Sequence, residues 1–231
     1  MLGLHTPIFG QTLNLITNGS FEDGNSGFQT EFDFSPGDIV PAASYDVVVD
    51  PSDSHPSATS YTDNTTGNGL MLAANGSTDS DSVVWSQTVS VLPDTRYEFG
   101  LWTSTWFSSA GLQLCINSID VGPAFTTPSS SGEWQETTRL WESDTDIAFI
   151  ELVNTTSQFV GNDFAVDDIS FAEAPILLGD INLDGVINFS DISPFIAILT
   201  AQGFQDEADI DGNGTVNFLD ISPFINLLSG A

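Results

Sequence analysis

The 231-residue chain contains no lysine. Its only fixed cations are Arg96 and Arg139, set against 32 aspartates and glutamates, for a formal net charge of −30. Such a surface cannot neutralise phosphates, which excludes a protein that tracks a nucleic-acid backbone. It suits a chain that binds cations, or one that works in salty surroundings where screening removes self-repulsion. A single cysteine, Cys115, excludes an internal disulfide. Within the strand-like run LQLCINSI it reads as a small buried hydrophobe. The two histidines, His5 and His55, lie in loop-like sequence and give that thiol no base. No apolar run reaches the roughly 20 residues of a membrane helix. The opening stretch, MLGLHTPIFGQTLN, has neither the basic region nor the sustained apolar core of an export signal, so no signal peptide is visible in this sequence. Catalytic signatures are missing as well: there is no G-x-S-x-G, no H-E-x-x-H and no cluster of histidines. A lyase would need a basic residue for proton abstraction. With so many acids, a carboxylate pair at the roughly 5–10 Å that a glycosidase requires arises by chance.

Between about Leu13 and Phe171 the chain is rich in Ser, Thr, Asn, Gly and aromatics, and it alternates in short segments between turn signals. SVVWSQTVSV sets Val83, Trp85, Val89 and Val91 on one face. RYEFGLWTSTW sets Tyr97, Phe99 and Leu101 on one face and Glu98, Trp102 and Trp106 on the other. GLQLCINSI alternates Leu112, Leu114 and Ile116, and IAFIELVN and DFAVDDISF are two further strands. Six or more strands without a long amphipathic helix predict a mainly β domain, a jelly-roll β-sandwich, over residues 12–173.

After the short join AEAPILL the pattern changes to loop plus short helix, written twice: GDINLDGVINFSDISPFIAIL at 179–199 and ADIDGNGTVNFLDISPFINLL at 208–228. Asp180, Asn182, Asp184, Gly185, Asn188 and Asp191 align with Asp209, Asp211, Asn213, Gly214, Asn217 and Asp220. These are the first, third, fifth, sixth, ninth and twelfth positions of a calcium loop of the EF-hand kind. Ca²⁺ is a hard ion that takes six to eight oxygens at about 2.3–2.6 Å, and a tight loop presents alternate side chains to its centre. Glycine at the sixth position permits the sharp turn. The backbone carbonyls of Val186 and Thr215, at the seventh, supply further oxygens. Asp191 and Asp220 close each loop from the first turn of a helix, where a carboxylate also suits the positive helix end. Each loop carries three carboxylates, more charge than one ion needs, so two calcium ions should drive the ordering of the region. The following helices place Ile192, Phe195, Ile196 and Leu199, and again Ile221, Phe224, Ile225 and Leu228, on one stripe. Pro194 and Pro223 fall in the first turn, where a missing N–H does no harm. Two such stripes predict a small all-α module over residues 179–231.

That duplicated loop–helix pattern resembles a type I dockerin, in which the helix that precedes an ordinary EF-hand loop is missing. The resemblance implies an extracellular or cell-surface protein, a cohesin-like protein module as partner, and partner contacts at the tenth and eleventh loop positions. Those are Phe189 and Ser190 in the first copy, Phe218 and Leu219 in the second. The family often has Ser-Thr there, with basic residues on the helices, and this chain has neither. Phe189 and Phe218 are open to two readings, core packing or an interface. TNGSFEDG at 17–24 and GNDFAVDDISF at 161–171 resemble the first and last strands of galactose-binding-like jelly rolls, including carbohydrate-binding modules of families four, nine and twenty-two. There an acidic residue from each strand often holds a structural calcium, which implies Glu22 and Asp168 as ligands, with Asp167 as a spare.

Sugars are gripped by aromatic faces and by carboxylates or amides beside them. Trp102 and Trp106, four residues apart along a strand and so roughly 13 Å apart at ~3.3 Å per residue, with Glu98 beside them, are the candidate platform. Trp85, Trp134 and Trp141 read as core or corner residues. Three readings follow. The first is a non-catalytic carbohydrate-binding protein, bound to polysaccharide or glycan and tethered through a calcium-dependent docking module. The second is a structural or adhesion protein whose sandwich binds protein. The third is a small polysaccharide-active hydrolase or lyase.

Overall fold

The computed structural model describes residues 13–158 and 161–229. The chain's opening stretch with His5, and the last two residues of the C-terminal region, lie outside them. The chain divides into two compact units, with the boundary between Ala174 and Pro175.

The first unit is a sandwich of two sheets. The strands are β1 (Asp33–Phe34), β2 (Ser44–Val48), β3 (Met71–Asn75), β4 (Val83–Ser90), β5 (Arg96–Ser104) and β6 (Gly111–Ile116). There follow β7 (Ile119–Asp120), β8 (Phe125–Thr126), β9 (Gln135–Glu142), β10 (Ile147–Asn154) and β11 (Asp163–Glu173). One sheet runs β1-β2-β3-β11-β5-β9. The other runs β4-β10-β6-β7, with β8 also paired to β6. All pairs are antiparallel except β1 with β2. The last long strand, β11, therefore lies mid-sheet between β3 and β5, and carries its acids to the centre of the unit.

Period-two alternation decides what is inside. Tyr97, Phe99 and Leu101 of β5 meet Leu112, Leu114 and Ile116 of β6 in the main core, with Trp85, Ile150, Leu152, Phe164 and Phe171. Tyr97 and Phe171 stack with ring centroids 5.0 Å apart. Trp85 is a core residue, and Trp141 packs half-buried against the same cluster. The expected face of β4 is corrected at one position. Val84 rather than Val83 is buried, because the register shifts where Leu152 pairs with Trp85 but Val153 pairs with Val83. A β-bulge inserts one residue and reverses the alternation beyond it.

A smaller cluster of Ile39, Met71, Ala73, Trp106 and Ala165, with Tyr61 and Trp134 packed on it, forms apart from the main core. The small residues Ala73 and Ala165 leave room there for the large rings. Asp46, itself buried, fastens the chain nearby by accepting from Gly37 N (2.9 Å) and Ser54 Oγ (2.5 Å).

The second unit contains two helices, α1 (Ile192–Ala201) and α2 (Ile221–Ser229), each preceded by a loop. Phe195 and Phe224, equivalent residues of the two copies, pack with centroids 4.5 Å apart. Around them gather Ile181, Ala208 and Val216, with Ile192, Leu199, Ile221 and Leu228 partly buried. The expected stripe is corrected at its middle. Ile196 and Ile225 are 52% and 55% exposed. Each follows the buried phenylalanine by one residue, a turn of about 100° around the helix, and two short helices leave that flank uncovered.

Candidate functional site

The two loops of the second unit share one hydrogen-bond plan. Asp180 accepts from Asp184 N (3.1 Å) and Gly185 N (2.8 Å), and Asp209 accepts from Asn213 N (3.1 Å) and Gly214 N (2.7 Å). At the third position, Asn182 Oδ1 accepts from Asp184 N (3.0 Å) and Asp211 Oδ1 from Asn213 N (3.1 Å). The closing carboxylates straddle their loops. Asp191 accepts from Asn182 N (3.0 Å) and Asn188 N (2.8 Å), and Asp220 from Asp211 N (3.0 Å) and Asn217 N (2.8 Å). Asn188 and Asn217 each cap the turn that follows, accepting from Ser190 N and Leu219 N. The carbonyls of Val186 and Thr215 lie 3.2 Å from the amides of Asn188 and Asn217. Gly185 and Gly214 adopt φ of +86° and +83°, where an L side chain is strained.

Asp180, Asp191, Asp209 and Asp220 are all buried. Buried carboxylates without cationic partners are costly, and the sequence from 175 onward has no lysine or arginine to pair with them. Carboxylate oxygens of Asp209, Asp211 and Asp220 lie within 4.8 Å of one another, and no other set of three acids meets so closely among the described residues. An all-oxygen donor set with excess negative charge fits a hard divalent cation.

Phe189 and Phe218 are 78% and 80% exposed, and Ser190 and Leu219 are exposed too. The core-packing reading of the phenylalanines is thereby excluded. Each lies seven residues before an exposed isoleucine, Ile196 or Ile225, so the same pair of exposed apolar residues recurs in both copies.

In the sandwich, Glu22 and Asp168 line one surface depression together with Asn18, Asp23 and Ser170. Glu22 accepts from Leu70 N (3.0 Å), and Asp168 accepts from Asn64 Nδ2 (2.8 Å) and Thr65 Oγ1 (2.5 Å). Asp168 sits at φ +49° beside a register shift in β11. Asp167 is fully buried and accepts from Asn64 N (2.9 Å). Burial first, and then the charge of Asp168 beside it, pushes its carboxyl up to about 7. Asp63, which sequence reasoning missed, is buried in the same region and accepts from Thr66 N (2.7 Å) and Gly69 N (2.9 Å). The short-range signal was available in DNTTGNG, an aspartate followed by turn residues.

The two tryptophans of the expected platform do not form one exposed face. Trp106 is 3% exposed, in the small cluster, with its ring 5.9 Å from that of His55. It lies past the end of β5, so strand parity no longer sets its direction. Trp102 is half-buried, paired across the sheet with Glu136 and Asp167, and Glu98 is exposed. Trp134 donates to Thr62 O (3.0 Å). Cys115 is half-buried rather than buried, because Leu114 and Ile116 take the inward positions. Burial, followed by the adjoining Asp120, pushes its thiol up to about 11.

Residues 178–229 match the family model of the dockerin type I domain. No curated protein matches the chain. Among solved structures, the CBM22-1 xylan-binding domain of Xyn10C from Paenibacillus barcinonensis is 14% identical, with 68% of this chain and 94% of that one covered and a TM-score of 0.46. TmCBM61, solved in complex with β-1,4-galactotriose, is 19% identical over 71% of this chain and all of its own, with a TM-score of 0.46. The cyclase Fisc from Fischerella sp. TAU is 14% identical over 71% of this chain and 98% of its own, with a TM-score of 0.49. At these identities the likeness is one of fold alone. Among the described residues no helix is long and apolar enough to cross a membrane.

Proposed function

We propose that this chain is a non-catalytic, extracellular or cell-surface carbohydrate-binding protein, tethered by a calcium-dependent docking module to a cohesin-like partner. The observation that carries the docking half is the duplicated loop, in which Asp191 and Asp220 accept equivalent backbone N–H groups across their own loops. In this reading Asp180, Asn182, Asp184, Val186, Asn188 and Asp191 hold one calcium. Asp209, Asp211, Asn213, Thr215, Asn217 and Asp220 hold the other. The ions offset the carboxylate repulsion and so order the two helices. Phe189, Ser190, Phe218 and Leu219 supply the exposed contact to the partner. Glu22 and Asp168, with Asp167 and Asp63 close by, hold a further structural calcium in the sandwich. The match of residues 178–229 to the dockerin type I family model supports the partner class and the extracellular setting.

For the sandwich, Trp102 and Glu98 remain the proposed sugar contacts, on the outward side of β5. The burial of Trp106 favours the second reading, a structural or adhesion module whose sandwich contacts protein.

The test has two arms, both on the full chain. A panel of cohesin modules is assayed for binding in calcium and in chelator, with Phe189→Ala and Phe218→Ala beside the parent. A polysaccharide and glycan array is probed with the parent and Trp102→Ala. Calcium-dependent capture by a cohesin and glycan binding lost in Trp102→Ala support the proposal. Cohesin binding with a silent array leaves the docking half standing and moves the sandwich to the adhesion reading. No cohesin binding in calcium overturns the docking half.

A further inference from the structure

The two loops carry equal charge but do not place it equally, and the difference predicts an order of loading. We infer that the second loop, Asp209–Asp220, is the tighter calcium site and fills before the first loop, Asp180–Asp191. The inference rests on the calcium reading above and adds a ranking within it.

Asp209, Asp211 and Asp220 present carboxylate oxygens within 4.8 Å of one another. Oxygens on opposite sides of one calcium are about 4.6–5.2 Å apart at ligand distances of about 2.3–2.6 Å. All three second-loop carboxylates therefore already stand where one ion reaches them. The first loop has the neutral amide of Asn182 at the third position and its third carboxylate, Asp184, at the fifth. Asp184 is also engaged, accepting from Asn182 Nδ2 (2.8 Å) and Val186 N (2.9 Å). Asp191 accepts a third N–H, from Ile181 (2.8 Å), besides those of Asn182 and Asn188. Asn213, the fifth residue of the second loop, is likewise engaged, by Thr215 Oγ1, so the difference lies in the carboxylates. Among the described residues those of Asp180, Asp184 and Asp191 are not gathered as closely as those of Asp209, Asp211 and Asp220, and loading the first loop must draw them together. A site that must rearrange binds more weakly than one already formed, and calcium affinity is tuned by charge placement and rigidity.

Loading in this order has a structural consequence. The helix that follows the second loop, α2, is fixed first and offers Phe224 as the surface on which Phe195 of α1 settles. The half-loaded protein then presents Phe218 and Leu219 in order while the flank of Phe189 and Ser190 is still forming.

The test is a calcium titration of the full chain followed by amide NMR. Gly185 and Gly214 hold equivalent places in the two loops, so their signals report the loops separately, apart from any ion in the sandwich. Gly214 is expected to respond at about tenfold lower calcium than Gly185, in keeping with the affinity range that such loops span. Asp211→Asn should remove that lead. Asn182→Asp, which adds a carboxylate to the first loop, should bring the Gly185 response to lower calcium. Simultaneous responses, or Gly185 first, overturn the ranking while the calcium reading stands. An Asn182→Asp variant that leaves Gly185 unmoved overturns the charge-placement cause. If neither glycine responds to calcium, the calcium reading fails and the ranking falls with it.

Discussion

Single positions in this chain are set by different terms, and the consequences can be told apart. Gly19 has no special backbone angle, yet a Cβ built on it would stand 2.0 Å from the carbonyl oxygen of Ile169. Its own carbonyl accepts from Ile169 N (2.9 Å), so the N-terminal segment lies flush against β11. Gly19→Ala should therefore cost about 3 kcal/mol through overpacking, a fall in melting temperature of roughly 5–10 °C by calorimetry. Gly214 is the reverse case, with nothing within 4 Å of a Cβ but a φ of +83°. Gly214→Ala should leave the sandwich untouched and weaken calcium binding by about tenfold, from a left-handed strain of about 1–2 kcal/mol. Cys115 is governed by its neighbours. A thiol moved from 9.0 to about 11 has about a hundredth of the ordinary thiolate at neutral pH. Alkylation by iodoacetamide should be slowed by about that factor relative to an unperturbed thiol, and Asp120→Asn should speed it. An unchanged rate in that variant would exclude Asp120 as a cause.

At the scale of elements, the sequence was legible wherever one period ran unbroken. Tyr97, Phe99 and Leu101, and Leu112, Leu114 and Ile116, were assigned to the core by alternation and lie there. Alternation failed at Val84, where a bulge adds a residue, and at Trp106, where the strand has ended. Neither event leaves a mark in a hydrophobic pattern, because both are decided by the partner strand and the covering chain. The helices failed differently. Their stripe was read as wide as the apolar residues allow, but burial needs a second surface, and a two-helix unit covers only the flank of Phe195 and Phe224. The two repeated loops were legible because their carboxylates and amides recur at fixed spacing within a single segment, and the hydrogen-bond plan follows that spacing in both copies. The acidic cluster of Asp63, Asp167 and Asp168 was half legible, since two of its members are adjacent and the third arrives from a loop distant in sequence. The strand β11 also carries a pH-dependent term. Burial raises the pKa of Asp163, and the attraction of His55 only partly opposes this. A raised folded-state pKa means that the protonated form is favoured by folding. The penalty is absent below the unfolded value of about 3.9, grows as pH climbs past it, and levels off above the folded value. Asp163→Asn should accordingly melt higher than the parent at pH 7 and equally at pH 3. A difference that is the same at both values would assign the effect to packing instead.

For the whole molecule, charge is the dominant fact, and two cation effects should be separable. With a formal charge of −30, any salt screens repulsion and stabilises the compact state. Calcium adds ligation, which depends on geometry and cannot be reproduced by ionic strength. The chain supplies its own reporters. All five tryptophans, Trp85, Trp102, Trp106, Trp134 and Trp141, precede Ala174 and lie in the sandwich unit, while both α-helices lie after Pro175. Tryptophan fluorescence thus follows the first unit, and circular dichroism at 222 nm is weighted to the second. Raising sodium chloride to about 0.5 M, where the Debye length falls to a few ångströms, should raise the fluorescence melting temperature in chelator. It should not restore the helical signal that chelation removes. Millimolar calcium at matched ionic strength should restore that signal, and Asp180→Ala combined with Asp209→Ala should block the recovery. If sodium chloride alone rebuilt the helices, the carboxylate rings would be screened charges rather than ligands. If calcium also raised the fluorescence transition beyond the salt effect, and Glu22→Gln removed that excess, the ion in the sandwich would be placed between the turn that carries Glu22, ahead of β1 rather than in the expected first strand, and Asp168 of β11.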